Sequence, residues 1–272
     1  MSVGYLADSF DMISLRDLDL ITQARARCSR LLVGVFTDEY VERLFGRHPV
    51  VPFDERAALV QHVDGVSDVV SHDPSIWSAP QADDLVFFVG VDSPVVPDDD
   101  PTWLTPCADA VEPNESHTAA VARTKNKRDR HSRQLGQVVG YVPGAWDAFH
   151  IGHLNILRRA REQCDYLVVG VVTDDALHEV KGKYPIVPLA ERMQVVAHLG
   201  MVDDVVIDRS IDKLQVWREV GFDVLFKGDD WLGTPKGDKL QADMASVGVT
   251  VKFFPYTVGT SSTLRRAKLS AR

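Results

Sequence analysis

Two histidines separated by a residue and a glycine, His150 and His153 in "GAWDAFHIGH" (Gly144–His153), are the side chains here best placed to handle a charged ligand. Gly144, Ala145, Trp146 and Asp147 lead into them from an apolar run. Imidazoles at i and i+3 share one face of a helical turn, and the glycine between them lets a ligand approach the backbone. A helix starting near Ile151–His153 turns its unpaired amides and positive dipole end toward the preceding loop, which favours anions. A phosphate whose charge grows in a transition state suits that geometry. Zinc does not, because no third His or Cys stands nearby and such a site takes three or four protein ligands. Two further cations, Lys181 and Lys183 in "KGKYP", read as loop lysines, each able to lend a point charge. The closing "SSTLRR" reads as an N-capped helix, with Arg265 and Arg266 about one turn in on a solvated face.

The surrounding pattern supplies the scaffold. "QVVGYV" reads as a buried strand and "GHLNILRRAREQ" as an amphipathic helix, with Leu154, Ile156 and Leu157 on its apolar side. "YLVVGVV" is a strand, "AERMQVVAHLG" a helix ending on Gly200, and "DDVVI" a strand. "IDKLQVWREVG" (helix), "DVLFKG" (strand), "DKLQADMASVG" (helix) and "VTVKFF" (strand) complete the half. Apolar strands alternating with helices predict βαβ units on a parallel sheet buried on both faces. The histidines then lie beyond the carboxyl end of the first strand, where such sheets bind ligands.

The same framework occurs twice. Residues 31–70 align without a gap on residues 167–206 at a constant shift of 136 (167 − 31 = 136). Gly34, Thr37, Asp38, Pro49, Pro52, Glu55, Arg56 and His62 fall on Gly170, Thr173, Asp174, Pro185, Pro188, Glu191, Arg192 and His198, and Asp11 on Asp147. A register held this long marks a duplicated domain. The expected fold class is α/β, two tandem Rossmann-like domains with parallel sheets, at 1–111 and 136–272. Between them, residues 112–135 read as a polar, partly basic linker.

The chain has 272 residues, 45% apolar and 25% charged, with net charge −9. That balance suits a soluble protein and argues against a general nucleic-acid or membrane-surface binder. No apolar run approaches a membrane span, and "MSVGYLADSF" lacks the form of a signal peptide. Cys28, Cys107 and Cys164 form neither a disulfide framework nor a zinc ribbon, so reduced thiols and a cytoplasmic location are expected.

"GAWDAFHIGHLNILRRAREQCDYLVVGVVTDD", with "KGDDW" and "TVGTSST" downstream, resembles the cytidylyltransferase family over about residues 136–268. The resemblance implies a Rossmann-like fold, Mg²⁺, and transfer of CMP from CTP to an alcohol phosphate with release of pyrophosphate. It implies that His150 and His153 steady the α-phosphate, and that Asp147 helps place the phosphates and metal. Lys181 and Lys183 would grip the phosphates of donor and acceptor. Arg192, Asp203, Lys227, Gly228 and Asp230 match positions near the nucleotide, with Asp230 reading the base. Thr257, Ser261 and Ser262 match the motif that holds the β- and γ-phosphates.

Two positions depart from the family pattern: Gly200 and Tyr256 stand where arginines bind nucleotide phosphates, leaving Lys227, Arg265 and Arg266 as substitutes. "KG" at Lys227–Gly228 is similar to sugar-phosphate adenylyltransferases. The expected partners are CTP and a small phosphorylated or phosphonate acceptor. An ATP-dependent adenylyltransferase on a sugar phosphate, or a nucleotide-binding regulatory protein with decayed sites, are the other readings. In the first copy Ser14, Arg16 and Asp17 replace His150, Gly152 and His153, while Phe45 and Arg47 replace Lys181 and Lys183. Residues 1–111 are therefore expected to do no chemistry and to stand in as a pseudo-dimer partner within the chain, with or without further homodimerisation. A fragment 136–272 should accordingly lose activity or self-associate; a fully active monomer contradicts the pseudo-dimer expectation.

Overall fold

The computed structural model describes residues 2–75, 85–90, 93, 101–105, 136–210, 212–257 and 259–270. The chain divides into two compact units, Met1–Glu112 with Lys268–Arg272, and Pro113–Ala267. The expected linker at 112–135 and Cys107 lie outside the described residues.

In the first unit, β1 (Val3–Asp8), α1 (Leu15–Arg25), β2 (Arg30–Phe36), α2 (Asp38–Phe45), α3 (Phe53–Gln61), β3 (Asp68–His72), β4 (Leu85–Gly90) and β5 (Thr102–Leu104) follow in order. The second runs β6 (Val139–Gly144), α4 (Ile151–Arg161), β7 (Tyr166–Val172), α5 (Asp174–Lys181), α6 (Leu189–Ala197), β8 (Asp204–Asp208), α7 (Lys213–Val220), β9 (Val224–Gly228), α8 (Pro235–Ala245), β10 (Thr250–Phe254) and α9 (Ser262–Ser270). Each unit carries a five-stranded parallel sheet, ordered β3-β2-β1-β4-β5 and β10-β9-β6-β7-β8. Both are Rossmann-like, with the topological switch between the first strand and its neighbour on the other side. The shift of 136 carries every element from β1 to β3 onto its counterpart from β6 to β8, end for end. Beyond β3 the correspondence lapses: residues 91–101 separate β4 from β5, where 229–249, including all of α8, separate β9 from β10.

The central strands β2 and β7 are buried along nearly their whole length, as continuous Val/Leu runs require when helices cover both faces. Gly34 and Gly170 break those runs for a packing reason. A Cβ would sit 2.1 Å from the Tyr5 hydroxyl at the first and 1.9 Å from that of Tyr141 at the second. In the second unit Tyr141 stacks on Phe222 with ring centroids 4.6 Å apart, amid Leu225, Val168 and Met244. Cys28 and Cys164 are free thiols tucked against Gly4 and Gly140.

Two ties, present in both units, set the loop that follows the first strand. Asp147 Oδ1 accepts the amides of Ile186 (2.9 Å) and Val187 (3.0 Å), as Asp11 Oδ1 accepts those of Val50 (2.7 Å) and Val51 (3.0 Å). The Arg192 side chain has no solvent exposure. It donates to Val187 O (2.9 Å), Val172 O (2.8 Å), Asp174 Oδ1 (2.5 Å) and Ala145 O. Arg56 repeats the pattern with Val51 O (2.8 Å), Ser9 O (2.5 Å) and Asp38 Oδ1 (2.5 Å). The expectation that Arg192 faces the nucleotide is therefore corrected: every nitrogen of its guanidinium is spent inside the protein. Arg192→Met should cost about 3–5 kcal/mol, because it strands Asp174 and three carbonyls. Denaturant unfolding measures this, and a loss under about 1 kcal/mol contradicts the tie.

Candidate active site

The site grows from the loop between β6 and α4. Trp146 and Ala148 adopt positive φ (57° and 46°), as Phe10 and Met12 do at the matching places in the first unit. Trp146 is buried and its indole donates to Gly170 O (2.9 Å). Its ring packs edge-on to His153, centroids 5.2 Å apart, with its one polar group spent on Gly170. The turn ends on His150, whose extended backbone starts α4 and whose Nδ1 accepts the Gly152 amide at 3.1 Å. Accepting at Nδ1 places the proton of the neutral ring on Nε2, which leaves a donor on the far side.

Gly152 has a packing reason of its own. A Cβ there would lie 2.9 Å from His150 Nδ1 and Cε1, so the glycine makes room for the capping imidazole. The helix start is also less open than expected, since the Gly152 amide is capped and the His153 amide donates to His150 O. The His153 ring stacks on that of His150 at 3.7 Å between centroids and 23° between planes. Its Nδ1 is buried with no hydrogen-bond partner among the described residues. Burial chiefly, then Arg265, pushes the His150 imidazole down to about 3. Burial, His150, Arg265 and Lys181 together hold His153 well below the usual histidine range. Both rings are neutral in a field of surplus positive charge, which is what a polyanion would neutralise.

The cations come from four elements. Lys181 is the last residue of α5 and not, as expected, a loop residue. Thr173 caps that helix through Ala176 N, and Gly182 ends it at φ 67°. Lys183 follows on the loop. Lys181, Lys183, Tyr184, Ala145, Asp147, Ser262 and Arg266 line one open cleft. Lys227, near the end of β9, lies 4.4 Å over the Trp231 ring and donates to Pro143 O (3.4 Å). Burial and the nearby Lys213 bring its ammonium down to about 8. Gly228 closes β9, and the exposed Asp230 follows on the same edge, its Oδ1 where a Cβ at Gly228 would be.

Helix α9 closes the site. Ser262 Oγ donates to Asp147 O (2.6 Å), and Ser261 Oγ accepts Leu264 N (3.1 Å) as a local cap. Thr257 Oγ1 accepts from Asn155 Nδ2 (3.2 Å), tying the preceding loop to α4. The solvated face expected for Arg265 and Arg266 is not what forms. Arg265 is 4% exposed and donates to Phe149 O and Ala148 O. Arg266 donates to Tyr184 O (2.9 Å) and stands 3.4 Å from Asp147 Oδ2. Asp203 is also corrected. It precedes β8 and binds Leu167 N (2.8 Å) and Arg161, at the amino edge of the sheet. At about 3.3 Å per residue, β8 separates it by roughly 16 Å from the carboxyl edge where the histidines lie. Gly200 sits in the exposed turn just before Asp203 and is not among the residues lining the cleft. Tyr256 follows β10 at the carboxyl edge, its amide on Asp229 Oδ1 (3.0 Å).

In the first unit the equivalent place is filled from within. Asp17 Oδ2 accepts from the Ser14 amide and hydroxyl (both 2.9 Å), and Arg16 bridges Asp8 (2.9 Å) and Asp17 (3.2 Å). Burial and the neighbouring Asp8 push the Asp17 carboxyl up to about 6. A carboxyl pair under a guanidinium thus occupies the place that His150 and His153 take in the second unit.

The histidine pair has a thermodynamic signature. Its folded-state values lie below the 6.5 of an ordinary histidine, so under pH 6.5 the unfolded chain binds more protons than the folded one. Stability should then fall with acidification, by up to about 1.4 kcal/mol per pH unit for each ring, until about pH 3 for His150. His150→Asn, which keeps a capping side chain, should flatten the slope of unfolding free energy between pH 7 and 5. An unchanged slope contradicts a buried neutral His150.

Comparison with known proteins places this geometry in a lineage. The cytidylyltransferase-like family model matches residues 6–102 and 141–269. Ethanolamine-phosphate cytidylyltransferase of Arabidopsis thaliana is 28% identical over 270 aligned positions, covering 75% of this chain and 64% of its own. The bifunctional protein HldE of Acidiphilium cryptum (strain JF-5) is 40% identical over 100 residues, 36% of this chain and 21% of its own. This chain thus spans about a fifth of the length of that relative and under two thirds of the plant enzyme. The lipopolysaccharide core biosynthesis protein of Thermoplasma volcanium GSS1 overlaps 45% of this chain and 98% of its own at 27% identity, with a TM-score of 0.40. With matched segments in both halves covering most of its length, the chain belongs to the cytidylyltransferase-like family.

Proposed function

We propose that the second unit transfers CMP from CTP to a small phosphorylated alcohol or a phosphonate and releases pyrophosphate. The observation that carries this reading is the stacked histidine pair at the start of α4, with Lys181 close enough to act on His153 and itself lining, with Lys183, Asp147 and Arg266, a cleft beside the same loop. An oxygen of the acceptor phosphate attacks the α-phosphorus of CTP. A new P–O bond forms as the bond to the β-phosphate oxygen breaks, and the electron pair leaves with pyrophosphate. The acceptor is already an anion, so no proton has to be removed and no covalent enzyme intermediate is needed. Catalysis is positioning and charge stabilisation. His150 donates from Nε2 to an α-phosphate oxygen whose charge grows, and His153, held against it, serves the same group. Lys181 and Lys183 bring the two phosphates together as mobile point charges.

Mg²⁺ belongs to this reading as a companion of the triphosphate. No group of three His, Cys, Asp or Glu side chains able to hold a metal exists among the described residues. A magnesium ion that arrives on phosphates needs only one or two protein carboxylates. Asp147 fits that lesser role through Oδ2, which among the described residues meets only Arg266 at 3.4 Å, while its Oδ1 is held by two amides. When bound, the ion would neutralise phosphate charge. The first unit, with Asp17 and Arg16 in the phosphate position, does no chemistry in this scheme.

The second reading, an adenylyltransferase on a sugar phosphate, draws on Lys227 and Gly228 at the end of β9, with the lysine held over Trp231. No helix among the described residues is long and apolar enough to cross a membrane, and neither reading asks for one. Pyrophosphate release with CTP and with ATP, across glycerol phosphate, ethanolamine phosphate, a phosphonate and several sugar phosphates, separates the two. CTP with an alcohol phosphate is the expected pair, and His153→Ala should lower kcat about 10²–10³-fold. Turnover with ATP and a sugar phosphate alone supports the second reading. Turnover unaffected by His153→Ala removes the histidine pair from the chemistry.

A further inference from the structure

We propose that Arg265 is a positioning residue for the histidine pair: by gripping the carbonyls of Ala148 and Phe149, it fixes the peptide that presents His150. The inference rests on reading the cleft as a nucleotidyl-transfer site. Three successive carbonyls of the loop, those of Asp147, Ala148 and Phe149, are held by side chains of α9: Ser262 takes the first and Arg265 the next two. Ala148 in the middle of this run has φ 46°, a conformation a non-glycine residue keeps only when its surroundings over-determine it. Arg265 is 4% exposed, and a guanidinium is withdrawn from water that far only where its donors are well used.

The consequence reaches both imidazoles. Phe149 is bonded directly to His150, and Phe149 also packs on His153, ring centroids 5.3 Å apart. The two imidazoles are stacked at 3.7 Å, so a shift of the 148–149 peptide displaces the pair together. Both carbonyls are met by one nitrogen, Nη1, whose hydrogens are fixed in the guanidinium plane, whereas an ammonium on a flexible stem has no fixed donor directions. The charged side chains bearing on the rings are Arg265 from α9 and Lys181 from the end of α5, and both oppose protonation. Arg265 therefore has two separable roles, geometric and electrostatic.

Arg265→Lys and Arg265→Gln in the full chain separate them. Loss of the fixed guanidinium donor should lower kcat for pyrophosphate release about 100-fold in both, as a misplacement near 1 Å does, while KM for CTP stays close to wild type. A readout without substrate follows the histidine ring resonances by ¹H–¹⁵N NMR against pH. The imidazole midpoints should rise by about one pH unit or more in Arg265→Gln and stay in place in Arg265→Lys, which keeps the charge. Circular dichroism reports folding, and if Arg265→Gln does not fold, Arg265→Lys carries the test. Wild-type kcat in Arg265→Lys overturns the proposal, as do ring resonances unchanged in both variants. If the wild-type chain releases no pyrophosphate from any nucleotide, the catalytic reading fails, and the NMR arm still decides whether Arg265 governs the pair.

Discussion

An imidazole nitrogen accepting the amide two residues ahead is the interaction on which the second unit's chemistry depends. Ser, Thr, Asn and Asp are the usual helix caps, and the matching first-unit residue is indeed a serine, Ser14. Using His150 instead satisfies the Gly152 amide and decides three further things. It fixes the tautomer, it commits position 152 to glycine, and it sets the ring plane against which His153 stacks. A capping interaction worth roughly 1 kcal/mol to the helix thereby also determines which atom meets the ligand.

The duplicated scaffold separates what the fold needs from what the reaction needs. Both units keep the positive-φ turn, at Phe10 and Met12 in one and at Trp146 and Ala148 in the other. Such residues cost about 1–3 kcal/mol each unless their surroundings hold them. Both units also keep the aspartate that staples two distant amides and the arginine that binds the loop from beneath. A site that has lost its histidines yet retains every one of these ties shows that they belong to the architecture. The units differ at His150 against Ser14, Gly152 against Arg16, His153 against Asp17, and Lys181 and Lys183 against Phe45 and Arg47.

The architecture was legible because strand and helix periods are strong, and because the shift of 136 is held by residues, such as Gly34 and Gly170, whose packing requirement is the same in both units. The histidine pair was legible from residue type and spacing. Arg192 was misread because a basic residue after a phosphate-site motif looks alike whether it points outward or inward. Its repetition at Arg56, in a copy without the histidines, was the signal that it is structural. Asp203 was misread although the strand "DDVVI" begins with it: a parallel strand's first residue lies at the amino edge, away from the histidines. Arg265 could not be found from a helical pattern alone, since its burial depends on a loop more than a hundred residues away. The same holds for Asp208, whose carboxylate receives Tyr141 and Lys213 across the sheet edge.

The central claim is that the outward nitrogens of two stacked imidazoles hold the α-phosphate of a nucleoside triphosphate. A crystal structure of the chain with a non-hydrolysable CTP analogue tests it most directly. The account requires His150 Nε2 within about 2.7–3.1 Å of an α-phosphate oxygen, with His153 still stacked beside it and Lys181 turned toward the phosphates. Imidazoles directed away from the triphosphate, or a nucleotide seated elsewhere while the start of α4 stays covered by protein, would contradict it.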